Sequence, residues 1–405
     1  MTYTIKTIYN SDGSISTIYE QNKISISVVP PKINKSLDKI QPKIIQNQQE
    51  DSNQSVSEIS IDPTQKRVLY LGGFFQAEFS LRASFIENNI DIRFLYDKKD
   101  NRILKNPETN NFNHNILDFA TDAELDDYIK KFQPDVIIHR CYLNDLVMHR
   151  NAYSIARKYN IPYGKYLIET CPEDIIIAER FDNCDFVLYA HNTDRILKEI
   201  DKIKDKKHFY FYPYGVGPIE KYAPASTQDE LAGFGYIRSC HTSRLTNLRI
   251  YTDVITNLNK KLHVFGSGNL KQWSDLNIDC LVQNPTYSLE DTTTIMNKYK
   301  IAINFESVSE LDGAYSHKMF QTLGCGLITF TIWKPSLEKL FKKSQTHGLI
   351  MIKNKKDIEK YIRYYLNNDN ERIKIAKSAE KYIHKHFDWY KRFENIMISE
   401  KIWNK

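Results

Sequence analysis

Two series of short apolar segments, each alternating with segments of helical pattern, run through this sequence of 405 residues. The first series begins at Arg67 and the second at Gly235, and between them lies a segment rich in proline and glycine, FYPYGVGPIEKYAP. Strands that alternate with helices of this length form right-handed βαβ crossovers and parallel sheets. The pattern therefore predicts an α/β protein of two doubly wound, Rossmann-like domains, joined by a hinge and facing a shared cleft.

The first 65 residues do not follow this pattern. Residues Thr2 to Val29 alternate apolar and polar side chains around the turn Ser11 to Ser14, which predicts a β-hairpin. Residues Pro30 to Gln65 are rich in Gln, Asn, Ser, Lys and Pro, which is typical of a flexible linker. The predicted divisions are a hairpin and linker over 1–65, a first domain over 66–217, a second over 218–387, and a C-terminal helix over 388–405 that crosses back to the first domain.

The charge balance argues against nucleic acid as a partner. The formal net charge is +6, and the basic residues are interspersed with acidic ones among 26% charged residues. A nucleic-acid-binding chain would carry a basic stripe with interleaved aromatic residues, and no such stripe is visible.

Cysteine spacing and hydropathy indicate the cellular compartment of the protein. The six cysteines form no C-x-x-C pair and no metal-type spacing with histidine, so we expect buried free thiols in a reducing compartment. The first 20 residues lack the pattern of a signal peptide, and no run of about 20 apolar residues could form a transmembrane segment. We therefore expect a cytoplasmic protein.

The stretch from Ile303 to Phe330, INFESVSELDGAYSHKMFQTLGCGLITF, carries the strongest chemical signal. It predicts a buried strand, a polar loop, a helix that opens on Ser316-His317-Lys318, and a second strand after Gly326. A helix N-terminus presents free N–H groups and partial positive charge, and Lys318 adds a full charge at the same place. This combination suits a diphosphate; the alternative is that Lys318 is an ordinary exposed helix lysine.

Several segments of the second half together resemble a known family. KMFQTLGCGLITF and YIRYYLNNDNERIKIAKSAEKYIHKHFDWYKRF are similar to the donor-binding domain of group 1 glycosyltransferases, especially the CgeB-like branch. PYGVGPIEKYAP resembles the connection PNGVDxxxFxP between the two halves of such enzymes. More weakly, SCHTSRLTNLR and NFESVSELDGAYSHKMF resemble donor-binding segments of α1,3-fucosyltransferases. Both families share the two-domain GT-B fold, so either resemblance implies the same fold and reaction class. The transferred sugar and the stereochemistry differ between the two families and stay open.

The resemblance implies an enzyme that transfers a hexosyl or deoxyhexosyl group from a nucleotide-sugar donor to a glycan, protein or small-molecule acceptor. No separate cofactor is implied. Acidic pairs that could suggest a metal ion are Asp126-Asp127 in a predicted helix, and Asp182 and Asp185 before a predicted strand. Solvated carboxylates explain them better, so we predict no metal site.

The resemblance also implies phosphate and nucleoside contacts in the second half. An arginine or lysine near Arg244 contacts phosphate in these families; Arg238 competes for this role, and a surface salt bridge is the alternative. Ser239 and Thr242 could donate hydrogen bonds in the same loop. Gly266 and Gly268 would let the backbone approach a base or ribose, although an ordinary strand-ending turn explains them equally well.

Gln321 departs from the family pattern. Group 1 enzymes usually carry an E-x7-E motif whose second glutamate binds ribose, and here the two positions are Gly313 and Gln321. A glutamine can still hydrogen-bond a ribose. Asp312 or Glu310 could replace the first glutamate only if the loop length differs. The departure favours, to a small extent, an inactive relative.

The first half offers candidates at the ends of its predicted strands. Gly72 and Gly73 follow the opening strand, as a glycine loop near a diphosphate does in this fold. His139 ends the strand PDVIIHR, where group 1 enzymes often have a histidine near the sugar; it could orient the donor, act as a base, or be a structural histidine. Glu169 is a further cleft candidate, or else a helix-capping or ion-paired carboxylate.

Two other functions fit the same fold. A non-catalytic protein that binds a nucleotide sugar or a carbohydrate would explain the missing glutamates. A nucleotide-sugar epimerase would convert donor with no acceptor present.

Overall fold

The structure, a computed structural model, describes residues 3–9, 15–21, 62, 64–72, 76–97, 116–119, 121–141, 151–168, 183–234, 242–265, 281–283, 289–305 and 311–404. Contacts divide the chain into two compact units, Met1–Ser57 and Glu58–Lys405. The first unit contains an antiparallel hairpin of β1 (Tyr3–Tyr9) and β2 (Ile15–Gln21), in which Tyr3 pairs with Gln21. The predicted linker lies outside the described residues apart from a few residues before Arg67.

The second unit begins with a parallel sheet of seven strands in the order β5-β4-β3-β6-β7-β8-β9. The order reverses at strand β3, as in doubly wound folds. Its strands are β3 (Arg67–Leu71), β4 (Asp91–Asp97), β5 (Ile116–Phe119), β6 (Val136–Cys141), β7 (Tyr163–Leu167), β8 (Phe186–Tyr189) and β9 (His208–Phe211). Its helices are α1 (Gln76–Glu87), α2 (Asp122–Phe132), α3 (Ala152–Lys158) and α4 (Asp194–Ile203).

The other sheet of this unit has six strands, also parallel, in the order β12-β11-β10-β13-β14-β15. Its strands are β10 (Asp229–Phe234), β11 (Leu262–Phe265), β12 (Leu281–Gln283), β13 (Tyr299–Asn304), β14 (Ile328–Ile332) and β15 (Leu349–Ile352). The helices are α5 (Thr242–Asn257), α6 (Leu289–Met296), α7 (His317–Gly324), α8 (Pro335–Leu340), α9 (Lys355–Asn367), α10 (Asp369–His386) and α11 (Trp389–Ser399), with a 3-10 turn at Ser344–His347.

Local sequence explains why these elements begin and end where they do. Thr121 caps α2 by accepting a hydrogen bond from the N–H of Glu124 (3.2 Å), and Gln133 ends that helix in the left-handed conformation. Asn354 caps α9 in the same way, by accepting from Asp357 N–H at 3.1 Å. The strands at the centre of each sheet are apolar on both faces because helices cover both, which is the usual environment of a parallel sheet.

Helix α11 leaves the second sheet and packs against the first. Its residues Trp389, Tyr390, Phe393 and Met397 belong to the same buried cluster as the strand residues Val68 and Tyr70. The carbonyl of Trp389 accepts a hydrogen bond from the Tyr212 hydroxyl at 2.6 Å, and its indole N–H donates to Ser80 Oγ at 3.1 Å. The last helix therefore completes the core that the first sheet begins.

The predicted fold class is confirmed, since the chain contains two parallel α/β sheets with helices on them. Some predicted elements differ from the structure. The pattern did not predict β5, β9 or β10, and the predicted helix Leu289 to Tyr299 is too long because Tyr299 already begins strand β13. The strand GYIRSC that was predicted to open the second series at Gly235 lies outside the described residues. The residue numbers of the predicted domain boundaries stay predictions.

Two further sequence expectations can be compared with the described residues. Cys184 and Cys325 are free and buried. Among the helices of the described ranges, none has the length and apolar character needed to cross a bilayer.

Candidate functional site

The carboxyl ends of the two sheets of the second unit meet through direct hydrogen bonds. The backbone N–H of Asn192, just after β8, donates to the carbonyl of Gly313 at 3.0 Å. The Tyr315 hydroxyl donates to Asn192 Oδ1 at 2.6 Å. Gly313 has φ +81°, and a Cβ there would lie 2.5 Å from the carbonyl oxygen of Asn192, so this close approach requires glycine. The loop before α7 is thereby held against the first sheet.

His191 spans the same junction with both ring nitrogens. Its Nε2–H donates to the carbonyl of Ile168 at 2.6 Å, and its Nδ1 accepts from the backbone N–H of Tyr315 at 3.1 Å. Burial lowers the pKa of His191 to about 3, and the nearby Lys334 ammonium acts in the same direction. A neutral imidazole is what these bonds require, because a protonated Nδ1 could not accept from Tyr315.

Helix α7 begins at this junction. Ser316 is its N-cap residue in extended conformation, and the Ser316 side chain makes no capping hydrogen bond. The His317 ring lies 5.5 Å from that of Tyr214 and 6.4 Å from that of Trp389. Burial lowers the pKa of His317 well below its ordinary value, and the charges of Lys318 and Arg140 lower it further. Two cations from different sheets therefore lie near the start of α7.

Arg140 supplies the cation of the first sheet. It is the penultimate residue of β6, and its guanidinium forms a hydrogen-bonded ion pair with Glu78 of α1; the two side chains expose 7% and 2% of their surface. The Tyr70 hydroxyl also donates to Glu78, at 3.3 Å. Gly72 has φ +124°, and a Cβ there would lie 3.0 Å from Arg140 Cβ. The glycine thus lets the end of β3 lie directly against Arg140.

The neighbouring His139 is directed to a different partner. It is buried, and its Nδ1 lies 2.7 Å from the hydroxyl of Tyr163 on β7. This contact matches the structural role that the sequence left open for His139. A role in catalysis stays a prediction.

Gln321 lies one turn further along α7 and is fully buried. Its amide Nε2 donates to Glu220 Oε1 at 3.3 Å. Glu220 belongs to the segment that connects the two sheets, and its other carboxyl oxygen accepts from Gly217 N–H at 3.0 Å. In this arrangement the amide of Gln321 is directed toward the connecting segment.

The structure brings together some of the residues singled out in the sequence. Ser316 is the N-cap residue of helix α7, which contains Lys318 and Gln321. Gly72 directly follows β3, and His139 lies near the end of the neighbouring strand β6 of the facing sheet. Arg244 and Thr242 lie in the first turn of α5, which follows β10, and their side chains are outside the described part. The residues that lie outside the described ranges altogether are Gly73, Glu169, Asp182, Arg238, Ser239, Gly266, Gly268 and Glu310.

The described residues of the site that were missed in the sequence include Arg140, Glu78, His317, Glu220 and His191. Arg140 directly follows His139, so the same strand-end argument could have included it. His317 stands between two residues that were considered. Nothing local indicates that Glu78 would pair with Arg140 or Glu220 with Gln321, because 62 and 101 positions separate the members of these pairs.

The acidic residues near the site have protein partners. Asp312 accepts a hydrogen bond from the N–H of Ser336 at 2.9 Å, and the Ser336 bonds lower the pKa of Asp312 despite partial burial. Within the described ranges there is no cluster of three or more His, Cys, Asp or Glu side chains that could hold a metal ion. Among the described residues, Lys318 and the helix dipole at the start of α7 could contribute positive charge to an anion site, whereas the charge of Arg140 is balanced by Glu78.

Comparison with known proteins agrees with this architecture. Residues 247–398 match the family model described as glycosyl transferase-like, and no curated protein sequence matches the chain. HepE of Anabaena, solved in complex with UDP and glucose, is 12% identical over 84% of this chain and 100% of its own, with a TM-score of 0.56.

Two other solved structures have the same extent of similarity. A glycosyltransferase from Rickettsia africae is 10% identical over 84% of this chain and 99% of its own, with a TM-score of 0.57. The pneumococcal O-GlcNAc transferase GtfA, in complex with UDP and GlcNAc, is 9% identical over 84% of this chain and 100% of its own, with a TM-score of 0.56. The chain therefore has the GT-B fold of these glycosyltransferases; the CgeB-like and fucosyltransferase resemblances are not resolved by these matches.

Proposed function

We propose that this protein is a glycosyltransferase that moves a sugar from a nucleoside diphosphate sugar to an acceptor. The observation that carries the proposal is the start of α7, where Lys318 stands in the first turn of the helix and its charge acts on the same buried His317 as the charge of Arg140 from the facing sheet. When the anomeric bond breaks, negative charge builds on the leaving diphosphate. Fixed positive groups at that place stabilise the transition state more than the ground state.

The comparisons support a nucleotide-sugar donor. The family model matches the half that contains α7, and both HepE and GtfA were solved with UDP. We propose that the diphosphate lies between α7 and the Gly72 strand end, and that the donated group is a hexosyl or deoxyhexosyl. The acceptor, a glycan, protein or small molecule, would enter from the first sheet. The chain's own cations would supply the positive charge, so we propose transfer without a metal ion or separate cofactor.

Removal of the Lys318 charge tests this proposal. We expect Lys318→Ala to weaken UDP binding by about 10- to 100-fold, as loss of a charge-assisted phosphate contact does, while the melting temperature changes little. Isothermal titration calorimetry with UDP, GDP and ADP, with and without magnesium, measures the affinity and the base preference together.

Lys356→Ala is a matched control. Lys356, like Lys318, is the second residue of a helix, but its helix α9 follows the edge strand β15 of the sheet. We expect this variant to bind UDP like the wild-type chain. Equal affinity of wild type and Lys318→Ala for every nucleotide would contradict the proposed site.

A binding protein without turnover is the second candidate. It is favoured by Gln321, which replaces an expected glutamate and whose amide is directed to Glu220. Slow hydrolysis of the bound UDP-sugar, followed as release of UDP, separates the two functions. Release that Lys318→Ala abolishes supports a transferase, whereas tight binding with no release over hours supports the binding protein.

A further inference from the structure

Glu220 is a fully buried carboxyl group in the segment between the two sheets, and three elements hold it. Gly217 N–H of the same segment donates to Oε2 at 3.0 Å, the Ser80 side chain of α1 makes a second hydrogen bond, and Gln321 Nε2 of α7 donates to Oε1 at 3.3 Å. A buried carboxyl with three partners from three elements is placed to set their relative position.

Helix α7 faces this segment with a row of residues that we call the hinge face: His317, Gln321 and Gly324. These positions share one side of a helix because they are four and three residues apart. At one end His317 packs on Tyr214, as described above. At the other end a Cβ on Gly324 would lie 2.9 Å from Val216 Cγ1, so the backbone of the helix lies directly against the side chain of Val216.

The hydrogen bond between Gln321 and Glu220 is the polar contact in the middle of the hinge face. Within the described part of the chain, Oε1 of Gln321 has no hydrogen-bond partner, so the bond to Glu220 determines how the amide is oriented. Burial raises the pKa of Glu220, and the hydrogen bonds that the carboxyl accepts from Gly217, Ser80 and Gln321 act in the opposite direction. Loss of either partner would leave a buried polar group unpaired, which is costly.

We propose that Glu220 is a positioning residue that acts through Gln321 to hold α7, and with it Lys318, in place at the cleft. The part of this inference that concerns Lys318 rests on the proposed function. Gln321 stands at the position whose glutamate binds ribose in group 1 enzymes. In this chain its amide instead joins α7 to the connecting segment. With the Gln321 amide bonded to Glu220, other residues would have to contact the ribose.

The test exchanges the two side chains and measures α7 itself. Gln321→Glu places two buried carboxyl groups in contact, and we expect amide hydrogen exchange over residues 317–324 to accelerate about 10-fold or more in the protein without nucleotide. The double variant Glu220→Gln/Gln321→Glu restores an amide–carboxyl pair, and its exchange should return to within about threefold of wild type. If Gln321→Glu does not fold, Gln321→Leu, which only removes the bond, takes its place.

Asn297→Ala is the matched control for general loosening. Asn297 holds the same connecting segment at another place: its Oδ1 accepts from Ala223 N–H at 2.8 Å and its Nδ2 donates to the Lys221 carbonyl at 3.0 Å. We expect this variant to lower the melting temperature and leave exchange in α7 unchanged. Exchange in α7 that stays at the wild-type rate in Gln321→Glu, or that rises equally in Asn297→Ala, would overturn the inference.

Titration with UDP connects this pair to the donor site. We expect UDP affinity to fall about 10-fold in Gln321→Glu, to recover in the double variant, and to be unaffected in Asn297→Ala. If α7 loosens as expected while wild type binds no nucleotide, the proposed function fails and the positioning role stands. If wild type binds UDP and α7 does not loosen, the positioning role fails and the proposed function stands.

Discussion

His191 joins the two sheets of the second unit through hydrogen bonds of both its ring nitrogens. It is buried between a carbonyl that follows β7 and an amide that precedes α7, and neither neighbour carries a charge that could stabilise an imidazolium. Burial therefore lowers its pKa to about 3, from an ordinary value of 6.5. Such a histidine contributes to stability only while it stays neutral.

The pH dependence of stability should report this residue. Below about pH 6.5 the unfolded chain binds a proton at His191 that the folded chain does not bind until about pH 3. The free energy of unfolding therefore falls as the pH is lowered through this window, by about 1.4 kcal/mol per pH unit for one such group. In His191→Gln this contribution is absent, so the slope of the unfolding free energy against pH, measured with urea, should decrease by this amount.

Asn192→Ala is the appropriate control for His191→Gln. It removes the neighbouring bond to the Tyr315 hydroxyl without removing a titratable group. We expect a lower free energy of unfolding with an unchanged slope against pH. If His191→Gln keeps the wild-type slope, the pKa of His191 in the folded state is close to its value in the unfolded chain, which contradicts the prediction.

At the scale of elements, α11 carries more of the first core than its place in the sequence suggests. Trp389 is 1% exposed and contacts three elements: Tyr212 in the connecting segment, Ser80 on α1, and the ring of His317 on α7. Phe393 continues the same contact, with its ring 5.0 Å from that of Phe85 on α1. The helix joins the two sheets through apolar burial, which adds to the polar contacts at the cleft.

Truncation of Trp389 should therefore destabilise the whole second unit. We expect Trp389→Ala to lower the free energy of unfolding by about 3–5 kcal/mol, the usual cost of emptying a buried aromatic site. Tyr364→Ala is the control, because Tyr364 on α9 exposes 47% of its surface and its loss should cost less than about 0.5 kcal/mol. Urea unfolding measures both variants, and a similar small effect for the two would contradict the central role of α11.

At the scale of the whole molecule, the division into Met1–Ser57 and Glu58–Lys405 makes a simple prediction. A chain that begins at Glu58 retains both parallel sheets and α11. Its melting temperature should lie within about 2 °C of that of the full chain, since no element of either sheet is lost. A chain that begins at Gln76 lacks β3, the strand between β4 and β6, and should not fold. A large loss of stability on removing residues 1–57 alone would contradict this division.

Much of this fold could be predicted because its signals are local. Apolar runs such as RVLYL and helical segments such as DAELDDYIKKF reflect the periods of a strand and a helix, so their order predicts parallel sheets. Lys318 could be selected for the same reason, because a helix start after a buried strand is visible in the sequence. The short strands β5 and β9 were missed because four residues carry little periodicity and β9 adjoins the proline-rich segment.

Local patterns were enough to predict the two α/β halves, the helix start beside Lys318 and the glycine that follows β3. Which side chains stand opposite one another depends on the packing of distant segments: Glu78 with Arg140, Glu220 with Gln321, and His191 between Ile168 and Tyr315. Secondary structure follows from the spacing of neighbouring residues, so it can be predicted locally. Burial and pairing of polar groups follow from how distant segments pack, and that packing places the charges of the candidate site.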